Sequence, residues 1–338
     1  MVDWLAGKRM KGTSSERTTG QWLSSVGGWK LLGSTSGSGT IKQVTISNPK
    51  RYYMVLGKEN SASSALGLTV NGNSSSGYTN NYTLNNTQAT STTDLIQLNV
   101  GTSHAYGMFT EFINDKSGQT KTFIGHETGS WTSSSNNTAL ESTGTFSSTG
   151  NLSSIEMEAW SGSFSDTRMV VLGYDENDSH TDNFWSQVGS ATGTGSSGSL
   201  NASISTTHDW YWIQMYLDPT SASAMSPYMT FNSQTSGFKT QARAGVSSAN
   251  YSDSGTTANI PLLSSTTPVF INMYIGDSIG YTQGWSHMVS QGSASNTAPE
   301  SLSTNSFHWT GSNITSIQIN SSVNLSTNSF IKIYGGTP

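Results

Sequence analysis

The sequence contains no cysteine, few charged residues and no long apolar run. The absence of cysteine excludes disulfide bonds and thiolate metal sites, so stability has to come from packing, strand pairing and association between chains. No stretch reaches the roughly eighteen apolar residues of a membrane span, and residues 1–20 lack the apolar run of a signal peptide. We therefore expect no membrane span.

Charge is scarce, and what there is does not suit nucleic acid. Charged residues make up 10% of the chain, against about 25% in average domains. The formal net charge is -5, and no basic stripe follows the first residues, whereas proteins that bind nucleic acid usually carry one to neutralise phosphates. Nucleic acid is therefore not an expected partner.

The abundant residues are Ser, Thr, Asn and Gly, together with aromatics at 10% of the chain. Disordered chains are usually poor in aromatics and high in net charge, so this composition predicts a folded protein. Thr, Tyr, Trp, Phe and Val suit strands, while Gly, Asn and Ser suit the turns between them. The composition predicts an all-β protein, and the length of 338 residues favours two domains.

The second half of the sequence repeats the first. The segment NLSSIEM at Asn151 aligns without a gap with NITSIQI at Asn313. Three further matches lie at nearly the same spacing: Asp115 and Gly118 with Asp277 and Gly280, Leu68-Thr-Val-Asn71 with Met229-Thr-Phe-Asn232, and Tyr52-Tyr53 with Trp212-Ile213. Matches at the start, middle and end of each half indicate an internal duplication.

The duplication predicts an N-terminal arm over 1–27, a β-sandwich domain over 28–178, a linker over 179–199 and a second β-sandwich domain over 200–338. Residues 193–198, with the sequence GTGSSG, have the composition of a flexible joint. Short strands recur between turn signals, and helical periodicity is absent. We predict two tandem jelly-roll-like β-sandwich domains.

A period of two marks the strands. Ile155, Met157 and Ala159 alternate with Glu156 and Glu158, so the apolar and acidic residues point to opposite faces. Two carboxylates on one face could act as an acid and a base, but this spacing is typical of the solvated face of a sheet. No catalytic residue is predicted.

The histidines do not form a metal motif in the sequence. Neither His-Glu-x-x-His nor another close pair occurs. His126 and His287 fall at similar places in the two copies, which allows a repeated site, but a hydrogen-bonded histidine within a sheet is the favoured interpretation. Asp175-Glu-Asn-Asp178 offers oxygen ligands of the kind that calcium prefers, without the spacing of an EF-hand, and is interpreted as a charged linker. We predict no metal and no cofactor.

Four segments give the chain a resemblance to a known domain. They are Tyr52-Tyr-Met-Val-Leu56, Leu68-Thr-Val-Asn-Gly72 followed by Tyr78, the strand from Phe109 to Asp115, and Asn313–Ile319 followed by Phe330-Ile-Lys-Ile-Tyr-Gly335. In this order they resemble a β-sandwich domain of structural proteins of tailed phages, here in two tandem copies. The first copy departs from the family's closing motif at Val171-Leu-Gly173, and the second replaces the Asn-Gly turn with Asn232-Ser233.

The resemblance implies a non-enzymatic protein of the outer surface of a virion: a capsid decoration, a head fibre or a tail-associated protein. It would be made in the host cytoplasm without a signal peptide. Its expected partners are the major capsid or tail proteins and further copies of itself, with a trimer as one arrangement. Lys8, Arg9, Lys11 and Arg17 of the arm would suit docking on an acidic surface of the particle, and the alternative is a solvated, frayed terminus.

Aromatic side chains provide a second hypothesis. Exposed Trp and Tyr rings can stack against sugar rings while nearby Asn, Asp and Gln bind hydroxyl groups. The candidate glycan contacts are Trp131, Trp160, Trp285 and Trp309. Packing in a core or in an interface between subunits is the alternative for each of them. The alternative function is therefore a pair of modules that bind carbohydrate on a host receptor.

Overall fold

The structure, a computed structural model, describes residues 28–61, 66–74, 77–84, 87–93, 95–98, 104–131, 137–159, 162–175, 183–244, 250–257, 259–262, 265–277, 280–291 and 299–338. Within these ranges every regular element is a β-strand, which confirms the predicted fold class. No membrane-spanning helix occurs among the same residues.

The described residues of the first repeat form twelve strands. They are β1 (Lys30–Ser36), β2 (Ile41–Thr45), β3 (Tyr52–Ser61), β4 (Leu66–Val70), β5 (Tyr78–Leu84), β6 (Thr87–Thr93), β7 (Ile96–Gln97), β8 (His104–Asn114), β9 (Lys121–Trp131), β10 (Asn137–Phe146), β11 (Ser154–Ala159) and β12 (Phe164–Tyr174).

The part of the second repeat that the structure describes forms the matching twelve. They are β13 (Ser186–Thr192), β14 (Ser199–Ser203), β15 (Trp210–Leu217), β16 (Tyr228–Phe231), β17 (Phe238–Ala244), β18 (Asn250–Thr257), β19 (Ile260–Pro261), β20 (Val269–Gly276), β21 (Thr282–Gln291), β22 (Pro299–Trp309), β23 (Ser316–Asn320) and β24 (Phe330–Gly336).

Each repeat is a jelly roll with an extended sheet. In the first repeat the strand order is β1-β12-β3-β8-β9-β10-β5-β6 in the large sheet and β2-β11-β4-β7 in the small one. The pairs β1-β12, β2-β11, β3-β8 and β4-β7 are those of a long hairpin rolled into two sheets, as in a jelly roll. The hairpins β5-β6 and β9-β10 widen one sheet. The second repeat has the same order, strand for strand, which confirms the duplication.

The matched residues perform matched roles. Asn71 adopts a φ of 56° in the turn after β4, and its Oδ1 accepts a hydrogen bond from the Ser153 amide at 2.7 Å. Asn232 has a φ of 52°, and its Oδ1 accepts from the Thr315 amide at the same distance. Asn tolerates this left-handed conformation better than most residues because its short side chain can bond to nearby backbone. The turn therefore ties β4 to the start of β11, and β16 to the start of β23.

One predicted match is wrong by two residues. Tyr52-Tyr53 corresponds to Trp210-Tyr211, not to Trp212-Ile213. The hydroxyl of Tyr53 accepts a hydrogen bond from the Lys50 amide at 2.8 Å, and the hydroxyl of Tyr211 accepts from the His208 amide at 2.9 Å. A constant spacing fails here because the connection between β15 and β16 is longer than that between β3 and β4.

The predicted linker over 179–199 is also wrong. β13 pairs with β24, and β14 pairs with β23, so both strands belong to the second jelly roll. Residues 193–198 are the connection between them. A Cβ on Gly193 would lie 2.0 Å from the carbonyl oxygen of Ser326, so this glycine is needed for close backbone packing. The second domain therefore begins near Ser186, before the predicted residue 200.

The two jelly rolls form four layers, because their large sheets pack face to face. Along β3, Tyr53 and Val55 enter the core of the first repeat, while Met54 and Leu56 enter a third core between the repeats. The second repeat contributes the aromatic half of that third core: Trp185, Trp210, Tyr274, Trp285 and Tyr334. The strands of the large sheets are therefore buried on both faces. The two domains share this third core, which joins them.

Candidate functional site

The contact between the repeats includes a buried lysine. Nζ of Lys58 donates hydrogen bonds to the carbonyl oxygens of Gly276, at 3.4 Å, and of Tyr281. It also lies 3.9 Å from the centroid of the Tyr281 ring. In return, the Tyr281 hydroxyl donates to the carbonyl oxygen of Glu59 at 2.6 Å. Each repeat therefore donates a hydrogen bond to the other, through Lys58 of the first and Tyr281 of the second.

Burial lowers the pKa of Lys58 to about 7, and the carboxylate of Asp277 opposes the shift. The unfolded pKa is 10.5, so Lys58 contributes stability that is present at high pH and is lost as the pH falls through about 7. At the rim, Arg168 and Asp209 form a second link at 2.8 Å between partly exposed side chains.

An aromatic cleft of 430 Å³ opens next to this interface. Its walls carry Trp29, Tyr52, Phe112, Ile124 and Tyr174, with the polar side chains of Asn114 and Thr122. The Trp29 and Tyr174 rings lie 5.8 Å apart, and those of Tyr52 and Tyr174 lie 6.2 Å apart. Tyr52 is 39% exposed and Ile124 is 51% exposed, so the cleft presents apolar surface to solvent.

The same positions are closed in the second repeat. Strand pairing places Trp210 where the first repeat has Tyr52, and Trp285 where it has Ile124. These two indoles are 0% and 4% exposed, because the first repeat covers them. The repeats meet mainly through equivalent strands, β9 against β21 and β10 against β22. β8 touches β21 and also β20, where the Phe112 and Tyr274 rings lie 6.1 Å apart. The packing of the repeats therefore covers the aromatic end of the second repeat and leaves that of the first repeat partly open.

Two histidines meet where the large sheets touch. His126 on β9 and His287 on β21 have ring centroids 4.2 Å apart, at 84° to each other. Trp285 stacks on His126 at 4.3 Å, and its Nε1 donates a hydrogen bond to Oγ1 of Thr110 at 3.2 Å. Glu141 on β10 is paired with His126 in the sheet and completes the group.

The environment keeps both imidazoles neutral. Burial lowers the pKa of His126 to about 3, and the neighbouring His287 lowers it further. Burial also lowers the pKa of His287, against the effect of the Glu141 carboxylate. A neutral imidazole has a nitrogen lone pair available as a ligand. The sequence contains no close pair of histidines, but strand packing brings His126 and His287 together although they lie far apart in the chain.

Three carboxyl groups lie inside the first jelly roll. Glu59, Glu111 and Glu127 lie diagonally across β3, β8 and β9 on the same interior face as Val55 and Phe109. The first two are 0% exposed and the third 4%. Neither carboxyl oxygen of Glu59 has a hydrogen-bond partner among the residues that the structure describes.

Burial raises the pKa of Glu59 to about 8 and that of Glu111 well above its ordinary value. Burial also raises the pKa of Glu127, and the charges of the other two glutamates add to the shift. In the second repeat the same pairing positions hold Leu217, Met273 and Met288, which are all part of the core. The acidic group is therefore particular to the first repeat, and no sequence motif marks it.

The predicted glycan contacts are only partly described. Trp285 lies in the shared core, and Trp309 stacks on Phe238 at 5.8 Å inside the second jelly roll. They are 4% and 5% exposed, so the packing alternative is right for both and glycan contact is wrong. Trp160 and the side chain of Trp131 lie outside the described residues. Sequence reasoning missed Trp29 and Tyr52, since local sequence does not distinguish covered from open aromatics.

The structure describes only some of the remaining predicted site residues. Lys8, Arg9, Lys11 and Arg17 of the arm lie outside the described residues, as does most of Asp175-Glu-Asn-Asp178. The side chains of Glu156 and Glu158 point to the outer face of β11, where Oε1 of Glu156 accepts a hydrogen bond from Gln43 at 2.7 Å. This is the solvated face predicted from the period of two.

Comparison with known proteins assigns no family. No protein-family model and no curated protein matches the chain. Among solved structures, the Neisserial surface protein A aligns with a TM-score of 0.11 and 5% identity over 81% of this chain and 99% of its own. Mouse laminin alpha1 domains LG4-5 align with a TM-score of 0.18 and 11% identity, over 91% of this chain and 88% of theirs. Scores of this size support no conclusion about fold or function.

Proposed function

We propose that this chain is a non-enzymatic structural protein on the surface of a tailed-phage particle, as a capsid decoration, a head fibre or a tail-associated protein. The observation that carries the proposal is the joining of two jelly rolls through a third core, which produces one body of four layers. Such a body suits a structural role, because the two large sheets at its centre are packed on both faces and make it rigid. The resemblance to phage structural domains indicates the type of particle.

Attachment would depend on many copies. The arm, with Lys8, Arg9, Lys11 and Arg17, is proposed to contact the major capsid or tail proteins while the jelly rolls face outward. Repeated copies on a symmetric particle convert weak contacts into lasting attachment through effective concentration. Further association of the chain into homo-oligomers, with a trimer as one arrangement, would add to this effect.

Electron microscopy of purified particles with a gold-labelled antibody against this chain tests the proposal. We expect gold on the outer surface, in a repeating position on the head or the tail, because the antibody reaches an outward-facing domain. Particles from a strain that lacks the chain serve as the control. Unlabelled particles in a lysate that contains the chain would contradict a surface role.

The aromatic cleft favours a second function, the binding of a carbohydrate. Its volume lies in the usual range of about 300 to 1,000 Å³ for small-molecule sites. Trp29, Tyr52 and Tyr174 offer ring faces for the apolar side of a sugar. Asn114 and Thr122 offer amide and hydroxyl groups for its hydroxyls. The ligand class proposed for this cleft is therefore a glycan of the host surface.

The change Tyr52→Ala tests the glycan function. We expect roughly tenfold weaker binding to any glycan recognised on an array, because the loss of one stacking face costs on the order of 1 kcal/mol. Tyr228→Ala is the matched control, since Tyr228 is 37% exposed but lies on β16 of the second repeat. A blank array, or equal losses for the two variants, would count against the cleft.

A further inference from the structure

The contact between the two large sheets places three ligand-bearing side chains together. His126 and Glu141 are neighbours on β9 and β10 of the first repeat, and His287 comes from β21 of the second. One donor atom from each lies within 4.8 Å of the others. We propose that these three residues form a binding site for a divalent transition metal ion, with Zn²⁺ as the best fit, that links the two jelly rolls.

The donor set suits this class of ion. Zinc is bound by imidazole nitrogen at about 2.0 to 2.1 Å and by carboxylate oxygen at about 2.0 to 2.2 Å. In a tetrahedral site these lengths place the donor atoms about 3.3 to 3.6 Å apart. Donors that already lie within 4.8 Å can reach that spacing by side-chain rotation. Two imidazoles and one carboxylate favour zinc, copper, iron or nickel over calcium or magnesium.

Both imidazoles are available for coordination. His126 and His287 make no hydrogen bond to any other residue in the described part of the chain, although their rings touch. A metal ion could therefore bind the lone pair of one nitrogen of each ring.

The surroundings hold the site in place. Trp285 stacks on the His126 ring, and Glu141 is fixed opposite His126 by strand pairing. Glu141 and His287 are half-buried, so an ion can enter from solvent and a water molecule can supply a fourth ligand. The negative carboxylate offsets part of the charge of the ion. The site is independent of the proposed virion role, because it depends only on the packing of the two repeats.

Calorimetric titration of the whole chain with ZnCl₂, after removal of metals with a chelator, tests the site. We expect one ion per chain, micromolar or tighter binding, and a melting temperature that rises with the zinc concentration because the ion binds the folded state. Cobalt(II) should bind in the same place and give the strong visible absorption of a tetrahedral site. His287→Gln and Glu141→Gln should each weaken zinc binding at least tenfold.

His208→Gln is the matched control, since His208 lies away from the site and contacts Thr337. It should bind zinc as the unchanged chain does. Circular dichroism confirms that each variant is folded, and the isosteric Glu141→Gln decides the matter if His287→Gln unfolds. The absence of binding, or binding that survives both substitutions, would overturn the proposal. Binding lost equally in His208→Gln would also overturn it.

Discussion

Replacement of the three interior glutamates by the residues of the second repeat, as Glu59→Leu, Glu111→Met and Glu127→Met, is expected to stabilise the protein by several kcal/mol at pH 8. For Glu59 alone, a pKa raised from 4.5 to about 8 corresponds to roughly 5 kcal/mol of penalty on the charged form. Apolar side chains of similar size remove that penalty and fill the same space. Urea denaturation at pH 8 measures the gain.

The raised pKa values predict how the gain in stability changes with pH. A carboxyl group whose folded pKa is raised contributes stability that is fully present below the unfolded pKa of 4.5 and is lost as the pH rises through the folded pKa, about 8 for Glu59. The gain of the triple variant should therefore be small near pH 4.5 and should grow as the pH rises. Lys58, His126 and His308 also titrate with shifted pKa values, but they are present in both proteins and cancel in the difference.

Glu158→Gln provides the control for the glutamate series. Glu158 lies on the outer face of β11, so its substitution should change the free energy of unfolding by less than about 0.5 kcal/mol at any pH. A triple variant that is less stable than the unchanged chain at pH 8 would contradict the prediction. It would mean that the interior of the first repeat needs its carboxyl groups.

Trp210→Ala is expected to lower the free energy of unfolding by about 3 to 5 kcal/mol, the usual cost of removing a buried aromatic side chain. Trp210 is 0% exposed and belongs to the core between the repeats. Because that core is shared, hydrogen exchange should also become faster on β3 and β12 of the first repeat, where Leu56 and Val170 line the same space. Urea denaturation and hydrogen exchange with mass spectrometry measure the two effects.

Two variants separate packing from other causes. Trp210→Phe should cost much less than Trp210→Ala, since Nε1 of Trp210 has no hydrogen-bond partner among the described residues and a ring is retained. Arg168→Met removes the partly exposed ion pair with Asp209 and should cost less than about 1 kcal/mol. If Trp210→Ala left exchange in the first repeat unchanged, the repeats would be energetically independent and the shared core would be unimportant.

Much of the fold could be predicted from local features. The alternation of Ile155, Met157 and Ala159 with acidic residues marked β11 and its solvated face. The matches at Asn71 and Asp115 revealed the duplication, because a left-handed turn and a buried carboxylate constrain residue type. Oδ2 of Asp115 accepts a hydrogen bond from the Leu152 amide at 2.8 Å, and the equivalent Asp277 accepts from the Ile314 amide at 2.7 Å.

The predictions that failed concern contacts between residues that are far apart in the sequence. The segment 193–198 has a linker composition, yet its glycines allow close packing within the second jelly roll. Trp285 and Trp309 were predicted as glycan contacts or packing residues, and composition could not separate these alternatives. The interior glutamates gave no signal, since a carboxyl group in a strand usually marks the solvated face.

The strands, the repeat and the jelly-roll class could be predicted from the amino-acid sequence, because side-chain alternation and turn residues act over a few positions and duplication repeats them. How the two large sheets face each other became clear only from the folded chain. That packing depends on the fit between surfaces far apart in the chain, and it covers Trp210 and Trp285 of the second repeat while Tyr52 and Ile124 of the first stay exposed. The packing also brings His126 to His287. The sequence places these two residues at similar positions of the two copies but could not show that the positions meet.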